Sequence, residues 1–344
     1  MRLRGWVNRW FGFRHVLIIA EAGVNHNGSL KHAYELVDVA AKSGADAVKF
    51  QTFKTEGVVL KSAEKADYQK KSTGADKTQF EMIKKLELSF GDFIKLKDYC
   101  DEKGIIFLST PFDYKSIDFI EPLVPVYKIG SGEITNLPFL EYIAKRKKPV
   151  ILSTGMSALN EVRSAVEVIQ RHLKKEKIAL LHCTTDYPAS YEEVNLRALV
   201  TLRDAFKLPV GYSDHTLGIE TPVAAVALGA CIIEKHFTLS REMEGPDHSA
   251  SLQPDELNAM IKAIRNIEKA LGDGVKRPSK SELRIRLTVR RSIVAYRHIK
   301  KGEMLTADNL TVKRPGVGIS PAQWHNIIGT KAKKNFKKDE LIKI

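Results

Sequence analysis

The sequence contains few cysteines and no long apolar run. Its three cysteines, Cys100, Cys183 and Cys231, are spaced neither as a disulfide framework nor as a CxxC metal site, which favours a reducing compartment. No apolar segment approaches the roughly 20 residues that a membrane-spanning helix requires, and no signal-peptide pattern is visible. We therefore expect a soluble, cytoplasmic protein.

Acidic residues are scarce at both ends of the chain. The formal net charge is +14; residues 280–344 hold 16 Lys/Arg against five Asp/Glu, and residues 1–14 hold four arginines and no acid. Such charge can bind nucleic acid. Surfaces that bind nucleic acid interleave aromatic with basic residues, however, and the only aromatic residue in the basic segment 331–338 is Phe336. We therefore expect neither nucleic acid nor a membrane as a partner. The charge can instead hold an anionic small molecule or face an acidic partner surface.

Short apolar runs alternate with amphipathic segments from residue 16 onward. The runs with strand character are Val16–Ala20, Ala47–Phe50, Ile105–Leu108, Val126–Ile129, Val150–Leu152, Ile178–Leu181, Val210–Tyr212 and Cys231–Ile233. Eight βα units in about 260 residues match the size and count of an α/β (β/α)₈ TIM barrel. A doubly wound open sheet is the alternative. It would normally carry a GxGxxG loop after its first strand, whereas residues 21–28 read EAGVNHNG.

The alternating pattern ends near Gly272. Composition predicts an N-terminal extension over residues 1–15, a barrel over 16–272, a linker over 273–283 and a small β-rich domain over 284–344. A domain of about 60 residues is marginally stable alone, so we expect it to pack on a partner. The long polar insertion over about residues 54–88 is predicted to be an active-site lid or an interface loop.

Polar residues are concentrated directly after the predicted strands, where a parallel barrel places its active site. They are Glu21, Lys49, Gln51, Thr110, Lys128, Ser131, Glu133, Ser153, Thr185, Tyr187, Ser213, His215, Glu234 and His236. The two lysines and the hydroxyls can hold a phosphate or carboxylate, and the carboxylates, with Asp247, suit proton transfer or a polar substrate. An aldolase that forms a Schiff base on Lys49 or Lys128 is the alternative enzyme class.

Two histidines form a possible metal site. His215 and His236 follow the seventh and eighth predicted strands, so both would emerge at the same end of a parallel sheet. Two imidazoles completed by water and substrate oxygens suit Mn²⁺, Co²⁺ or Zn²⁺, and Mg²⁺ less well. A site with two protein ligands is open and therefore catalytic rather than structural.

An ordered set of motifs resembles the sialic acid synthases over nearly the whole chain. The motifs are Ala20–Gly28, Val48–Thr52, Ser109–Pro111, Tyr127–Glu133, Leu152–Met156, His182–Pro188, Gly211–Thr216, Glu234–Thr238 and Gly245–His248, and Val312–Gly316 resembles that family's antifreeze-like (SAF) domain. The resemblance implies condensation of phosphoenolpyruvate with N-acetylmannosamine and water to give N-acetylneuraminate and phosphate. Alternative sugars are N-acetylmannosamine 6-phosphate and the 2,4-diacetamido-2,4,6-trideoxymannose that leads to legionaminic acid. The Gly245–His248 motif looks more like the sialic and legionaminic branches than the pseudaminic one.

The resemblance also implies a role for each matching position. A divalent ion, Mn²⁺ in preference to Mg²⁺ or Co²⁺, would be held by His215 and His236. Phosphoenolpyruvate would be bound by Lys49, Thr110, Lys128, Ser131, Ser153, Thr185 and Ser213, although the family often has Asn where Thr185 stands. The sugar would be bound by Glu21, Gln51, Glu133, Tyr187, Asp247 and Arg314. Arg314 would come from the partner chain of a homodimer whose small domains cap each other's barrels. Glu234 is the preferred base for water, and Glu21 is the second choice.

Overall fold

The computed structural model describes residues 15–74 and 76–344. They form two compact units, the first ending at Gly272 and the second comprising Asp273–Ile344. The extension predicted over residues 1–15 lies outside the described residues, apart from His15. Within the described part of the chain, no helix is both long enough and apolar enough to cross a membrane.

The first unit is the predicted (β/α)₈ barrel. Its strands are β1 (Leu17–Gly23), β2 (Ala47–Thr52), β3 (Ile106–Pro111), β4 (Tyr127–Ile129), β5 (Val150–Ser153), β6 (Ile178–His182), β7 (Val210–Asp214) and β8 (Ile232–His236). The paired strands are all parallel, in the order β3-β2-β1-β8-β7-β6-β5-β4. The end strands β3 and β4 pack against each other, so consecutive strands follow one another around the barrel.

Helices connect the strands of the barrel. Those of the first unit are α1 (Leu30–Ser43), α2 (Thr55–Val58), α3 (Asp67–Thr73), α4 (Gln79–Lys84), α5 (Phe90–Lys103), α6 (Tyr114–Ile120), α7 (Leu137–Lys145), α8 (Leu159–Gln170), α9 (Tyr191–Val194), α10 (Arg197–Phe206), α11 (Glu220–Ala227) and α12 (Pro254–Ala270). Helix α1 shows why they form. The Ser29 side chain accepts a hydrogen bond from the His32 N–H, and Gly44 ends the helix at φ 81°, a left-handed conformation that favours glycine.

The strand residues divide into two apolar layers because successive side chains point to opposite faces. One set fills the interior of the barrel and includes Leu17, Ile19, Ala47, Leu108, Ile151, Leu181 and Ile232. The other set, with Ile18, Ala20, Val48 and Phe50 among its members, packs against the helices. The insertion after β2 is not an irregular loop, since it contains helices α2, α3 and α4.

The second unit is a small domain with its own core. Strands β9 (Ser292–Ala295) and β10 (Leu310–Lys313) form an antiparallel pair, and Phe336 is buried in the apolar cluster around them. Helix α13 (Lys280–Val289) crosses the predicted boundary between linker and domain and was not anticipated from composition. A short helix, α14 (Trp324–Ile327), follows β10.

Candidate active site

The polar residues at the strand ends point into the barrel, in line with the apolar interior residues of the same strands. On β1, Leu17 and Ile19 face the interior, and Glu21 is the next residue in the same alternation. Strand β8 repeats the pattern, with Ile232 in the interior core followed by Glu234 and His236, which line a cavity. The barrel therefore has an apolar floor, above which the carboxyl ends of the strands carry charged and polar side chains.

These side chains line a cavity of about 150 Å³, which we call the central cavity. The predicted site residues in its wall are Glu21, Lys49, Gln51, Thr110, Lys128, Ser131, Ser153, Thr185, Tyr187, Ser213, His215, Glu234 and His236. Three predicted residues are not in this wall. Glu133 lies on the 3₁₀ turn Ser131–Glu133 beside it, Asp247 lines an adjoining cavity, and Arg314 is exposed in the second unit.

Four buried ionisable side chains lie next to one another in the wall of the central cavity. The Lys49 Nζ lies 2.8 Å from Glu21 Oε2 and 3.7 Å from Glu234 Oε2, and the Lys128 Nζ lies 3.3 Å from Glu234 Oε1. Ser213 Oγ donates a 3.1 Å hydrogen bond to Glu234 Oε1. Each of the four charged side chains is at most 6% exposed, so their charges act with little screening by water.

The two carboxylates differ in protonation. Burial raises the pKa of Glu21 to about 7, against the lowering effect of Lys49. Burial also tends to raise the pKa of Glu234, but Lys128 and Lys49 together lower it below its ordinary value. Glu234 is therefore an anion at neutral pH, whereas Glu21 can gain or lose a proton there.

Hydroxyl groups form the side of the central cavity next to the lysines, and Gly155 packs closely against two of them. The Lys49 Nζ donates to Thr110 Oγ1 at 3.0 Å, and the Gly155 N–H donates to Ser131 Oγ at 2.9 Å. A Cβ atom on Gly155 would lie 2.2 Å from Thr185 Oγ1 and 2.9 Å from Ser131 Oγ, so a side chain at this position would displace both hydroxyls. The Thr185 Oγ1 is buried without a hydrogen-bond partner.

The two histidines fit a divalent ion in an open site. Burial lowers the pKa values of His215 and His236, so both rings are neutral, as metal ligands must be. The His215 Nδ1 lies 2.5 Å from the Thr184 carbonyl oxygen, which assigns its proton to Nδ1 and leaves Nε2 with a lone pair. The His236 Nδ1 is buried without a hydrogen-bond partner, and the ring centroids are 5.6 Å apart.

The described residues do not provide a complete set of ligands for such an ion. Over residues 15–74 and 76–344, no group of three or more His, Cys, Asp and Glu side chains could hold a metal ion. The pair would therefore need oxygens from water and substrate to complete the coordination. The Tyr187 ring packs on His215 with centroids 4.1 Å apart and meets His236 edge-on at 5.6 Å, which limits the positions that both imidazoles can take.

A second cavity, which we call the apolar cavity, adjoins the central one. Its volume is about 240 Å³, and the two cavities share Gln51, Phe112, Tyr187 and His236. The remaining lining residues are Val24, Phe53, Val58, Gln69, Met82, Ile83, Leu86, Pro246 and Asp247. Burial raises the pKa of Asp247 to about 6, and its Oδ2 lies 4.0 Å from the His236 Nδ1.

Sequence reasoning missed most of the apolar cavity. Val58, Met82, Ile83 and Leu86 come from the insertion between β2 and β3, which composition marks only as long and polar. Phe112 lines both cavities and follows the Ser109–Pro111 motif directly. Its position just after a strand end could have identified it as a site residue from the sequence. Cys183 also lines the central cavity, where burial raises the pKa of its thiol, so that it is not a ready nucleophile.

Comparison with known proteins agrees with this architecture. The family model described as the NeuB family matches residues 36–276, and the SAF domain model matches residues 290–344. The chain is 53% identical to the N,N'-diacetyllegionaminic acid synthase of Campylobacter jejuni over 96% of this chain and 99% of that protein. It is 36% identical to human N-acetylneuraminate-9-phosphate synthase, over 97% of this chain and 93% of that protein.

A solved structure provides the same assignment from three-dimensional similarity. The N-acetylneuraminic acid (sialic acid) synthetase of Leptospira borgpetersenii, in complex with citrate, superposes with a TM-score of 0.69 at 36% identity. The match covers 78% of this chain and 90% of that one. With the barrel, the SAF domain and these relatives in agreement, the chain belongs to the NeuB family and is an enzyme of the sialic acid synthase kind.

Proposed function

We propose that the enzyme is an N,N'-diacetyllegionaminic acid synthase. It would condense phosphoenolpyruvate with 2,4-diacetamido-2,4,6-trideoxymannose and water, releasing phosphate. This replaces N-acetylmannosamine, the sugar preferred from the motifs alone. The identity of 53% to a legionaminic acid synthase, against 36% to the N-acetylneuraminate-9-phosphate synthase, supports the choice.

The observation that carries the proposal is the composition of the apolar cavity. Seven of its lining side chains are apolar ones of Val, Phe, Met, Ile and Leu, and among the described lining residues there is no Lys or Arg. The trideoxy sugar has a methyl group in place of the C6 hydroxymethyl group of N-acetylmannosamine and an acetamido group in place of the C4 hydroxyl. Apolar walls favour these groups. A 6-phosphate in the same cavity would find no cation among the described lining residues, which is unfavourable for a buried charge.

Phosphoenolpyruvate would occupy the central cavity. Lys49 and Lys128 are its only lysines among the described lining residues, and they would balance the phosphate and carboxylate charges. The hydroxyls of Thr110, Ser131, Ser153 and Ser213 would donate to the anionic oxygens. Thr185, with its unpartnered Oγ1, has a free donor for the same purpose.

The sugar would bridge the two cavities. Gln51, Tyr187 and Asp247 line the apolar cavity and carry polar atoms for its hydroxyl and amide groups; Glu21 and Glu133 would contribute from the central side. We further propose a homodimer in which Arg314 of one chain reaches the sugar bound to its partner.

The reaction joins C3 of phosphoenolpyruvate to the aldehyde carbon of the open-chain sugar. A divalent ion, Mn²⁺ in our proposal, would be held by His215 and His236 and would polarise the aldehyde oxygen. As the new C–C bond forms, the C=O π bond breaks and the aldehyde oxygen takes up a proton, while the enol carbon C2 becomes cationic. Water captures C2 and gives a proton to Glu234 or Glu21, which balances the proton gained by the aldehyde oxygen. The tetrahedral product then loses phosphate by cleavage of its C–O bond.

The test is phosphate release from phosphoenolpyruvate against a panel of sugars, with and without EDTA. We expect kcat/KM for 2,4-diacetamido-2,4,6-trideoxymannose to exceed that for N-acetylmannosamine and its 6-phosphate by at least about tenfold, the scale of discrimination by single apolar groups. Equal or better use of N-acetylmannosamine would refute the sugar assignment. Inactivation by borohydride in the presence of pyruvate would instead indicate a Schiff-base aldolase.

A variant can locate the discrimination. Met82→Gln adds an amide to the wall of the apolar cavity, and we expect it to lower kcat/KM for the trideoxy sugar about tenfold more than for N-acetylmannosamine. Leu60→Gln is the control, because Leu60 belongs to the same insertion but is 78% exposed. An equal decrease in kcat/KM for both sugars would show that Met82 does not determine sugar specificity.

A further inference from the structure

A buried ion pair between Asp214 and Lys235 lies behind the two histidines. These residues alternate along β7 and β8 with Ser213 and Glu234, which line the central cavity. Their side chains therefore point to the opposite face of the sheet, and both are 0% exposed. Asp214 and Lys235 are register partners in the β7–β8 ladder, so the ion pair directly connects the last two strands.

Hydrogen bonds of this ion pair also hold the residues on both sides of His215 in place. Asp214 Oδ1 accepts hydrogen bonds from the Thr216 N–H and the Thr216 Oγ1, each at 3.0 Å. The Lys235 Nζ donates to Asp214 Oδ2 and to the Thr216 carbonyl oxygen. The residues before and after His215 are thus held by one carboxylate and one ammonium group. That ammonium belongs to the residue directly before His236.

Further contacts anchor this network to the rest of β7 and to helix α11. The Tyr212 hydroxyl donates to Asp214 Oδ1 at 2.9 Å, and Thr216 Oγ1 lies 2.8 Å from Thr221 Oγ1. Thr221 belongs to α11, which follows β7. The ends of both metal-facing strands are therefore tied to each other and to the helix that joins them.

Stability alone is a weak reason for such a pair. Removing two charges from water costs several kcal/mol for each ion, and replacing a buried ion pair by apolar residues of similar volume is often neutral or stabilising. An ion pair with additional hydrogen bonds does hold the two strands in a defined relative position, because its donors and acceptors are satisfied in only one arrangement of those strands. That arrangement sets the separation of the His215 and His236 rings.

We propose that Asp214 and Lys235 are positioning residues that hold the two imidazoles so that both can bind one divalent ion. The proposal rests on the metal-dependent function proposed above. Neither side chain faces the central cavity, so neither would touch the ion or a substrate.

The first test measures Mn²⁺ binding to EDTA-treated enzyme by the electron paramagnetic resonance signal of free Mn²⁺. We expect Lys235→Met to weaken the Mn²⁺ Kd by about 10- to 100-fold, the usual effect of losing a group that orients a metal ligand. A Kd within twofold of the wild type in the folded variant, checked by circular dichroism, would overturn the proposal.

A double variant separates positioning from stability. Lys235→Met leaves Asp214 buried and unpaired, whereas Asp214→Leu with Lys235→Met leaves no buried charge, so we expect the double variant to recover thermal stability. We expect its Mn²⁺ affinity to remain at least about tenfold weakened, because the oriented hydrogen bonds are still missing. Recovery of Mn²⁺ affinity together with stability would show that the pair is only structural.

A milder variant covers the case in which both of these fail to fold. Thr216→Val keeps the size of the side chain and the ion pair but removes the Oγ1 donor to Asp214, and we expect at least about threefold weaker Mn²⁺ binding. Unchanged binding in this variant would count against the proposal.

The control is an ion pair at the other end of the barrel. Asp46, directly before β2, lies 2.9 Å from an Arg265 nitrogen and is 8% exposed. Asp46→Asn should lower thermal stability and leave the Mn²⁺ Kd unchanged; a weakened Kd here would mean that any loss of stability has that effect and would overturn the positioning role. Two failures can be distinguished. If the wild type binds no Mn²⁺, the metal in the proposed function is wrong. If the wild type and Lys235→Met bind Mn²⁺ equally well, only the positioning role is wrong.

Discussion

Burial of Glu21 should make the contribution of this residue to folding stability fall as the pH rises. Its pKa is raised from an ordinary 4.5 to about 7, chiefly by burial. Below pH 4.5 the carboxyl is neutral in both the folded and the unfolded chain. Between pH 4.5 and about 7 the unfolded chain loses this proton while the folded chain keeps it, so the free energy of unfolding decreases. Above about pH 7 the full penalty is present.

The size of the effect follows from the pKa. A change from 4.5 to about 7 corresponds to about 3 kcal/mol, at 1.36 kcal/mol for each pKa unit. Most of this penalty develops between pH 5 and pH 8.5. Glu21→Gln keeps the shape of the neutral acid and cannot ionise. We therefore expect this variant to be more stable than the wild type at pH 8.5, by roughly 5 °C in Tm for a unit of this size, and to differ little below pH 5.

The assay is thermal unfolding of metal-free enzyme in EDTA, with the wild type and Glu21→Gln compared at half-unit steps from pH 5 to pH 8.5. Glu167→Gln is the control, because Glu167 is an exposed carboxylate on helix α8, and its Tm difference from the wild type should not change with pH. If the Tm difference between Glu21→Gln and the wild type is the same at every pH, Glu21 is not protonated near neutrality and the argument from burial fails.

Three further predictions concern the site itself. Gly155→Ala would place a Cβ 2.2 Å from Thr185 Oγ1 and 2.9 Å from Ser131 Oγ; we expect steady-state kinetics to show a KM for phosphoenolpyruvate raised at least about tenfold, and an unchanged KM would exclude these hydroxyls from binding it. EDTA should abolish phosphate release and Mn²⁺ should restore it, whereas His215→Ala and His236→Ala should lose Mn²⁺ binding in the same resonance assay; full activity in EDTA would rule out the metal. Co-expressed Arg314→Ala and His236→Ala chains should form mixed dimers with one intact site, detectable as recovered activity; recovery no greater than the sum of the separate variants would show that Arg314 does not act across chains.

The apolar cavity shows why sugar specificity could not be predicted from the motifs. Gln51 and Tyr187 belong to motifs at strand ends, but Val58, Met82 and Ile83 come from a segment whose composition is polar overall. Their apolar faces converge only because helices α2 and α4 fold over the barrel mouth. A contact between residues distant in sequence leaves no local pattern, so composition predicts only an active-site lid or an interface loop and does not indicate which ligand groups the segment would contact.

The sequence by itself determined the barrel and the set of polar residues at its mouth. Alternation with a period of two places Glu21, Lys49 and Glu234 in line with interior residues, and parallel strands bring their ends together. Only the tertiary structure decided that Glu21 can gain or lose a proton near neutral pH while Glu234 is ionised. It also decided that Asp214 and Lys235, adjacent to the histidines in sequence, pair on the opposite face. Burial and distance across strands set both outcomes, and neither quantity is encoded in the local pattern of residues.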